Sequence, residues 1–465
     1  MEKYDVLFIG SGPAGYVGSI RAAQLGLKAG VIEKDKPGGV CLNIGCIPSK
    51  ALIKQAEKFN AISDLKKMGI KADLSGFDYK KVNKKSRVAA KKVSKGVQFL
   101  LKKNKVDYIE GTATLKDQKT VSINDGEQEL TADHIVVATG SRPRAIPGFE
   151  IDGEDVIDST GALMMETLPK RMLVLGSGAI GSEFTHVFST FGVEIHLVEM
   201  LDEIIPTEDK DVSAELEKTF KRRKINLYKS TKATGYEKTD EGLKVTLEDK
   251  AGEVQTVVVD QILLSVGRIP NTENIGLESL GVEMEKGNFV KTGDYYRAII
   301  NGEASESLYA VGDVVSSPLL AHVASKEAEI AVEHIAGNQT EKRLDPAIIP
   351  GAIYTEPEVA SFGLMEKDAP DNATISKFPY KAIGKATAVE EIDGFVKLIT
   401  EKETGRLLGA SIIGAHATDL IHELLLAKDR EISMEDLAKL IHAHPTLSEG
   451  IMEAARQSQG WAIHV

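Results

Sequence analysis

Both cysteines of the 465-residue chain fall within one run, Gly38-Gly39-Val40-Cys41-Leu42-Asn43-Ile44-Gly45-Cys46-Ile47-Pro48-Ser49-Lys50. A bridge between Cys41 and Cys46 closes too short a loop to restrict the unfolded chain much, so its value would be chemical: a disulfide accepts two electrons. The spacing predicts a helix start at Pro48, where backbone N–H groups and the helix dipole favour a thiolate close by. Cys-x4-Cys alone is equally compatible with two buried structural thiols, so the flanking motifs decide.

Those motifs come in two copies. Tyr4-Asp5-Val6-Leu7-Phe8-Ile9 leads into Gly10-Ser11-Gly12-Pro13-Ala14-Gly15, and Arg171-Met172-Leu173-Val174-Leu175 leads into Gly176-Ser177-Gly178-Ala179-Ile180-Gly181. Each reads as strand, glycine turn and helix, a cradle that seats a pyrophosphate on a helix N-terminus. One G-x-G-x-x-G is a weak signal. Here each is followed by a second apolar strand ending in an acid, Glu33 or Glu199, in both cases 18 positions after the third glycine. Glycine turns that merely pack loops have no reason to repeat that spacing, and two dinucleotide sites imply two cofactors.

Composition bounds the function. The chain is 42% hydrophobic and 27% charged, with 57 Lys and Arg against 69 Asp and Glu, a formal charge of −12. That balance fits a soluble globular protein of about three domains and argues against nucleic acid as the main partner. The Lys-rich run from Lys80 to Lys105 carries Val82, Val88, Ala89, Val93, Val97, Leu100 and Leu101 at helical spacing, and reads as a solvated helix face rather than a binding patch. No stretch approaches the ~20 apolar residues that span a bilayer. A core strand begins within a few residues of Met1, so the cytoplasm is the expected compartment. A mature organellar form stripped of its presequence would look the same.

The string Gly-Gly-x-Cys-Leu-Asn-x-Gly-Cys-Ile-Pro-Ser-Lys resembles the active-site segment of dihydrolipoamide dehydrogenases, flavoprotein disulfide reductases of the pyridine nucleotide class, and the resemblance runs along nearly the whole chain. It implies an α/β fold with two Rossmann-like dinucleotide-binding domains, for FAD and NAD, followed by an α+β dimerisation domain. The expected divisions are 1–143 for the FAD-binding domain with the redox disulfide, 144–268 for NAD, 269–342 for a central part completing the FAD domain, and 343–465 for the interface. The first turn (Gly10, Gly12, Gly15, Glu33) then belongs to FAD and the second (Gly176, Gly178, Gly181, Glu199) to NAD. Ala138-Thr139-Gly140 resembles the motif where such chains leave the FAD domain, and the segment through Gly267 marks the return. Leu308 to Asp313 resembles the second FAD motif, in which the carboxylate, here Asp313, meets the ribityl chain. A helix opening at Ala321 is expected to point its positive end at the flavin. Lys50 is expected to hold charge near the flavin ring, paired with Glu183.

In His442-Ala443-His444-Pro445-Thr446-Leu447-Ser448-Glu449, His444 matches the family's general acid/base and Glu449 its orienting carboxylate. A base is needed because dithiol substrates arrive largely protonated. In the family it comes from the partner subunit, so a homodimer with shared active sites is implied. The implied reaction is oxidation of dihydrolipoamide: His444 deprotonates it, its thiolate attacks Cys41, and Cys46, the thiol touching the flavin, passes two electrons through FAD to NAD+. The implied partners are a lipoyl-carrier protein and a 2-oxo acid dehydrogenase or glycine cleavage complex. One departure stands out: Val40 replaces a common Thr, removing a hydroxyl beside the disulfide and bearing on the flavin potential.

Glu199 can accept hydrogen bonds from a ribose 2′-OH but repels a 2′-phosphate, and no Arg or Lys follows in Met200-Leu201-Asp202-Glu203, so NAD is favoured over NADP. This and Ser49-Lys50, where glutathione reductases usually have Lys-Lys, separate the chain from that group. Mercuric reductases and large thioredoxin reductases need an extra C-terminal cysteine pair, which is missing. A His442-x-His444 metal pair has no third ligand at suitable spacing, so no metal is expected. Two alternatives stay open: an NADH-dependent reductase of another small disulfide, and a mainly structural subunit that would leave Cys41, Cys46, His444 and Glu449 unexplained.

Overall fold

The computed structural model describes residues 2–464. β1 (Glu2–Ile9), α1 (Pro13–Gln24) and β2 (Ala29–Glu33) open the chain. Val6, Leu7, Phe8 and Ile9 are all buried, the mark of a strand covered on both faces. β1 runs parallel to β2, with Val6 opposite Ala29. Then come α2 (Gly39–Ile44), α3 (Cys46–Lys67), α4 (Tyr79–Lys103), β3 (Asp107–Glu110), which lies parallel to β2, and β4 (Gln128–Val137), which lies parallel to the other edge of β1.

Two expectations need correction here. α3 begins at Cys46, not Pro48, because Gly45 (φ −149°, ψ −115°) breaks the chain between α2 and α3. Pro48 falls inside the first turn, where its missing N–H has no intrahelical partner to lose. Cys46 is thereby the first helical residue, nearer the positive end of the dipole. In α4 the buried residues are Tyr79, Asn83, Ser86, Ala90, Ser94, Val97 and Leu101, whereas Val88, Val93 and Leu100 face outward. Two of the polar side chains on the inner face reach carbonyls of neighbouring segments: Asn83 Nδ2 donates to Leu163 O at 2.8 Å and Ser94 Oγ to Pro37 O at 2.8 Å.

The second unit contains β5 (Arg171–Leu175), α5 (Ala179–Thr190), β6 (Glu194–Val198), α6 (Lys210–Arg222) and β7 (Gln261–Leu264). β5 lies between β6 and β7 in a five-stranded parallel sheet, and a three-stranded antiparallel sheet spans residues 231–259. The returning segment Arg268–Pro270 pairs antiparallel with the outgoing Ser141–Pro143, so the two crossings are zipped together. β8 (Glu303–Ala310) then joins the first sheet beside β4, and α7 (Ala321–Ile335) follows.

The last unit holds β9 (Gly351–Ile353), β10 (Glu358–Gly363), β11 (Ala373–Pro379), β12 (Phe395–Glu401) and β13 (Leu407–Gly414) in an antiparallel sheet ordered β9-β10-β13-β12-β11, with α8 (Glu449–Ser458) packed on β11 and β12. The fold is thus α/β with two parallel-sheet units followed by an α+β unit. Among the described residues no helix is long and apolar enough to cross a membrane.

A buried lysine joins the second and third units. Lys397 of β12, 2% exposed at its side chain, places Nζ 2.7 Å from Asp209 Oδ1, 3.2 Å from Asp211 Oδ2 and 2.5 Å from Glu366 Oε2. The three carboxylates stand close enough to hold a metal ion, but they converge on this ammonium instead. Lys397→Met leaves Asp209 buried without its partner and is expected to cost about 3 kcal/mol in urea unfolding, the low end for a broken buried pair because Asp211 and Glu366 still reach water. Lys377→Ala, which breaks an exposed pair with Asp211 at 2.9 Å, is expected to cost less than about 1 kcal/mol.

Candidate functional site

A cavity of about 450 Å³ opens beyond the carboxyl ends of β1, β2 and β4, the usual ligand position in open parallel sheets. Its walls include Gly10, Gly12, Glu33, Cys41, Cys46, Lys50, Thr139, Gly140, Glu183, Asp313 and Ala321. These come from segments up to about 300 residues apart, so the fold brings together what the sequence shows as separate motifs.

The glycines divide their work by sterics. A Cβ on Gly15 would stand 1.8 Å from Gly10 O, and one on Gly10 2.4 Å from Ala138 O, so both positions are closed by the chain itself. A Cβ on Gly12 would meet nothing within 4 Å: that glycine faces open space. The second turn repeats the pattern, with Gly181 1.9 Å from Gly176 O, Gly176 2.6 Å from Ser265 O, and Gly178 open. Gly12 and Gly178 precede α1 and α5 and offer no side-chain cap, which leaves the first N–H groups of each helix open to a ligand. The acids match too. Glu33 Oε2 accepts from Ser11 N at 2.9 Å and Ser11 Oγ at 2.7 Å, and Glu199 Oε2 accepts from Ser177 N at 2.9 Å and Ser177 Oγ at 2.8 Å. Open cradles, uncapped helix ends and pinned carboxylates fit a dinucleotide at each turn, as FAD and NAD both are.

The two cysteines are free thiols in this structure, and they are not equivalent. A hydrogen bond from Cys41, joined by the Lys50 charge and working against burial, pulls Cys46 down to about 7; the same hydrogen bond and burial push Cys41 up. Lys50 Nζ lies 2.9 Å from both carboxylate oxygens of Glu183 on α5. Tyr354, just past β9, holds this pair from the other side: its N–H donates to Glu183 Oε1 at 3.1 Å and its ring sits 4.4 Å from Lys50 Nζ. Val40 lines the cavity with an apolar side chain next to Cys41.

Also on the cavity wall, Asp313 Oδ2 accepts from Ser141 Oγ at 2.5 Å, and Arg268 Nε donates to the same hydroxyl at 2.7 Å. Thr139 Oγ1 donates to Asn271 O at 2.6 Å, fastening the outgoing segment to the returning one. Gly267 stays outside the cavity, where its carbonyl accepts the Arg144 N–H at 3.0 Å. Tyr354, Arg268 and Ser141 lie inside segments that the sequence marks only as boundaries. No local pattern signals that a tyrosine near residue 354 will cover a lysine at 50.

His444 stands apart from the cavity, with its side chain 76% exposed. Its Nδ1 is 2.9 Å from Glu449 Oε1, and Thr446 N–H donates to Glu449 Oε2 at 2.9 Å. Burial opposes ionisation of Glu449, but these two hydrogen bonds hold its carboxyl below the usual range. His442 is turned inward, 2.8 Å from Glu423.

Residues 4–328 match the family described as pyridine nucleotide-disulphide oxidoreductase, and residues 349–455 match the dimerisation domain of that name. A dihydrolipoyl dehydrogenase of Bacillus subtilis is 43% identical over 99% of this chain and 97% of its own length, and one of Corynebacterium glutamicum is 39% identical over 100% and 99%. The crystal structure of LpdA from Mycobacterium tuberculosis superposes with a TM-score of 0.88 at 27% identity, covering 98% of this chain and 99% of that one.

The cysteine environment is open to a direct check. In the reduced protein, iodoacetamide alkylation should rise with pH through a midpoint near 7. Lys50→Met removes the neighbouring cation and should move that midpoint upward. Tyr354→Leu should move it the same way and Tyr354→Phe should leave it in place, because the ring alone covers the ammonium. An unmoved profile in Lys50→Met would show that this charge does not govern Cys46.

Proposed function

The chain belongs to the pyridine nucleotide-disulphide oxidoreductase family, and from that premise we propose that it oxidises dihydrolipoamide to lipoamide with NAD+, as the dihydrolipoyl dehydrogenase of a 2-oxo acid dehydrogenase or glycine cleavage complex. The observation that carries this reading is the unequal cysteine pair held between two dinucleotide cradles. It is supported by full-length relatives bearing that name.

The chain's own groups divide the work as follows. His444, oriented by Glu449, takes the proton from one substrate thiol. The resulting thiolate attacks Cys41 Sγ of the oxidised pair, the Cys41–Cys46 bond breaks, and Cys46 leaves as a thiolate. A thiol titrating near 7 is the better leaving group, which directs attack to Cys41. The second substrate thiol then attacks the substrate sulfur of the mixed disulfide, releasing cyclic lipoamide and returning a proton to Cys41. The substrate has lost two electrons and two protons; the pair now holds the electrons. FAD, when bound, supplies the two-electron relay from this pair to NAD+, which leaves as NADH. Lys50 balances the charge on Cys46, and Asp313, Ser141 and Arg268 form a polar wall for the flavin's ribityl side.

On this reading residues 1–143 and 269–342 form the FAD unit, 144–268 the NAD unit and 343–465 the interface of a homodimer. His444 does not line the cavity of its own chain, and the neighbouring Leu440 and Ile441 are 53% and 94% exposed, apolar surface that suits a second copy. The base is therefore delivered to the partner's Cys41. A centre that must cycle between dithiol and disulfide suits a reducing compartment, here the cytoplasm.

The purified protein should form NADH from dihydrolipoamide and NAD+, with NADP+ and the NADPH-plus-glutathione-disulfide reaction as inactive controls. Glu199→Ala should narrow the preference for NAD+ over NADP+ by on the order of tenfold, equivalent to about 1.4 kcal/mol. No lipoamide turnover, despite NADH-driven bleaching of the yellow protein, would assign the disulfide to another substrate. His444→Gln should lower the rate by roughly 10²–10⁴. Mixed dimers of Cys41→Ser and His444→Gln chains should regain one working site per dimer, whereas sites confined to single chains would stay silent.

A further inference from the structure

α4 turns large apolar side chains to solvent among its lysines, which a helix that only covers a core has no need to do. At 3.6 residues per turn, Lys84, Val88, Lys91, Lys95, Phe99 and Lys102 share one outward stripe, opposite the buried residues described above. Val88 is 58% exposed and Phe99 65%, both in the middle of the lysines. Among the described residues none of these four lysines joins an ion pair, although most lysines of the second unit do. The stripe is the crest of a wider segregation of charge. Residues 50–105 hold sixteen Lys and one Arg against four acids, while the rest of the chain holds forty Lys and Arg against sixty-five Asp and Glu.

The basic helix also lies beside the redox loop. Arg87 Nη1 donates to Asn43 O at 2.9 Å, between Cys41 and Cys46, and Ser94 Oγ donates to Pro37 O at 2.8 Å just before it. α3, which packs along α4, begins at Cys46 itself.

We propose that the outer face of α4 docks an acidic protein domain that carries the dithiol substrate on a flexible arm. The inference rests on the proposed oxidation of dihydrolipoamide and adds the place of contact and the sign of the partner. Charge complementarity selects the occupant: an acidic domain is repelled by most of this surface and attracted only to the hairpin next to Cys41, where Val88 and Phe99 offer an apolar centre for the contact. Steering of this kind raises association rates by roughly 10 to 10³ and fades as salt screens it.

The test compares two forms of one substrate. Initial rates would be measured with free dihydrolipoamide and with a reduced lipoyl domain that has an excess of Asp and Glu, at low and physiological ionic strength, for the full dimeric holoenzyme and a Lys84→Glu/Lys91→Glu/Lys95→Glu variant. The expected result is a kcat/KM for the carried substrate that falls about tenfold or more in the variant and loses its salt dependence, with free dihydrolipoamide unaffected. Phe99→Ser should weaken the carried reaction without changing its salt slope. Carried rates that match wild type in both variants would overturn the docking face, as would a loss shared equally by the free substrate. Charge-dependent binding of duplex DNA or anionic vesicles with carrier turnover unchanged would assign the face to a different occupant and overturn it too. Failure of the wild-type enzyme to oxidise free dihydrolipoamide would instead remove the functional reading, and this partner with it.

Discussion

The structure turns on the ion pair between Lys50 and Glu183. A half-buried thiol resists ionisation, and Cys46 is drawn toward the thiolate by the hydrogen bond from Cys41 first and by a neighbouring cation second. Lys50, one helical turn further along α3, supplies the charge. A free lysine side chain would spread over many rotamers. Glu183 gathers it with both carboxylate oxygens at 2.9 Å, and the Tyr354 ring closes the remaining side at 4.4 Å. These three residues come from the first, second and third units, so the charge next to the sulfur is correctly placed only when all three units are docked. Arg268 faces the same thiol from the returning linker, and Lys397 fastens the second unit to the third.

A second constraint operates within each dinucleotide turn. Strand and helix approach so closely that a side chain on Gly15 or Gly181 would lie inside the van der Waals radius of the first glycine's carbonyl. The middle glycine has no such conflict with protein and is open toward the ligand side. The acid at the end of the next strand is pinned by the serine of the same turn in both copies, and its other oxygen accepts the backbone N–H two residues on. The repetition follows from backbone sterics, and it explains why two units with otherwise different surroundings keep matching patterns.

Charge is distributed by element rather than evenly. A chain of net −12 concentrates its lysines on one helical hairpin, and that hairpin is the one that frames the cysteine loop. The exposed His444 and the apolar residues before it form a second surface feature, away from the cavity.

Features that depend on local sterics and spacing are legible in the amino-acid sequence: two glycine turns with acids 18 residues on, both cysteines in one run, a core strand at Val6 to Ile9, and the family they imply. Within a single turn, φ/ψ limits and helix dipoles leave few alternatives. The tertiary structure alone decided which distant groups meet. Lys50 and Glu183 are 133 positions apart and Tyr354 lies another 171 beyond, a separation over which no periodicity survives. It also decided which face of α4 is buried, because Asn83 and Ser94 find carbonyls to bond that composition does not reveal. It moved the start of α3 to Cys46, since the chain breaks at Gly45, three residues before the proline.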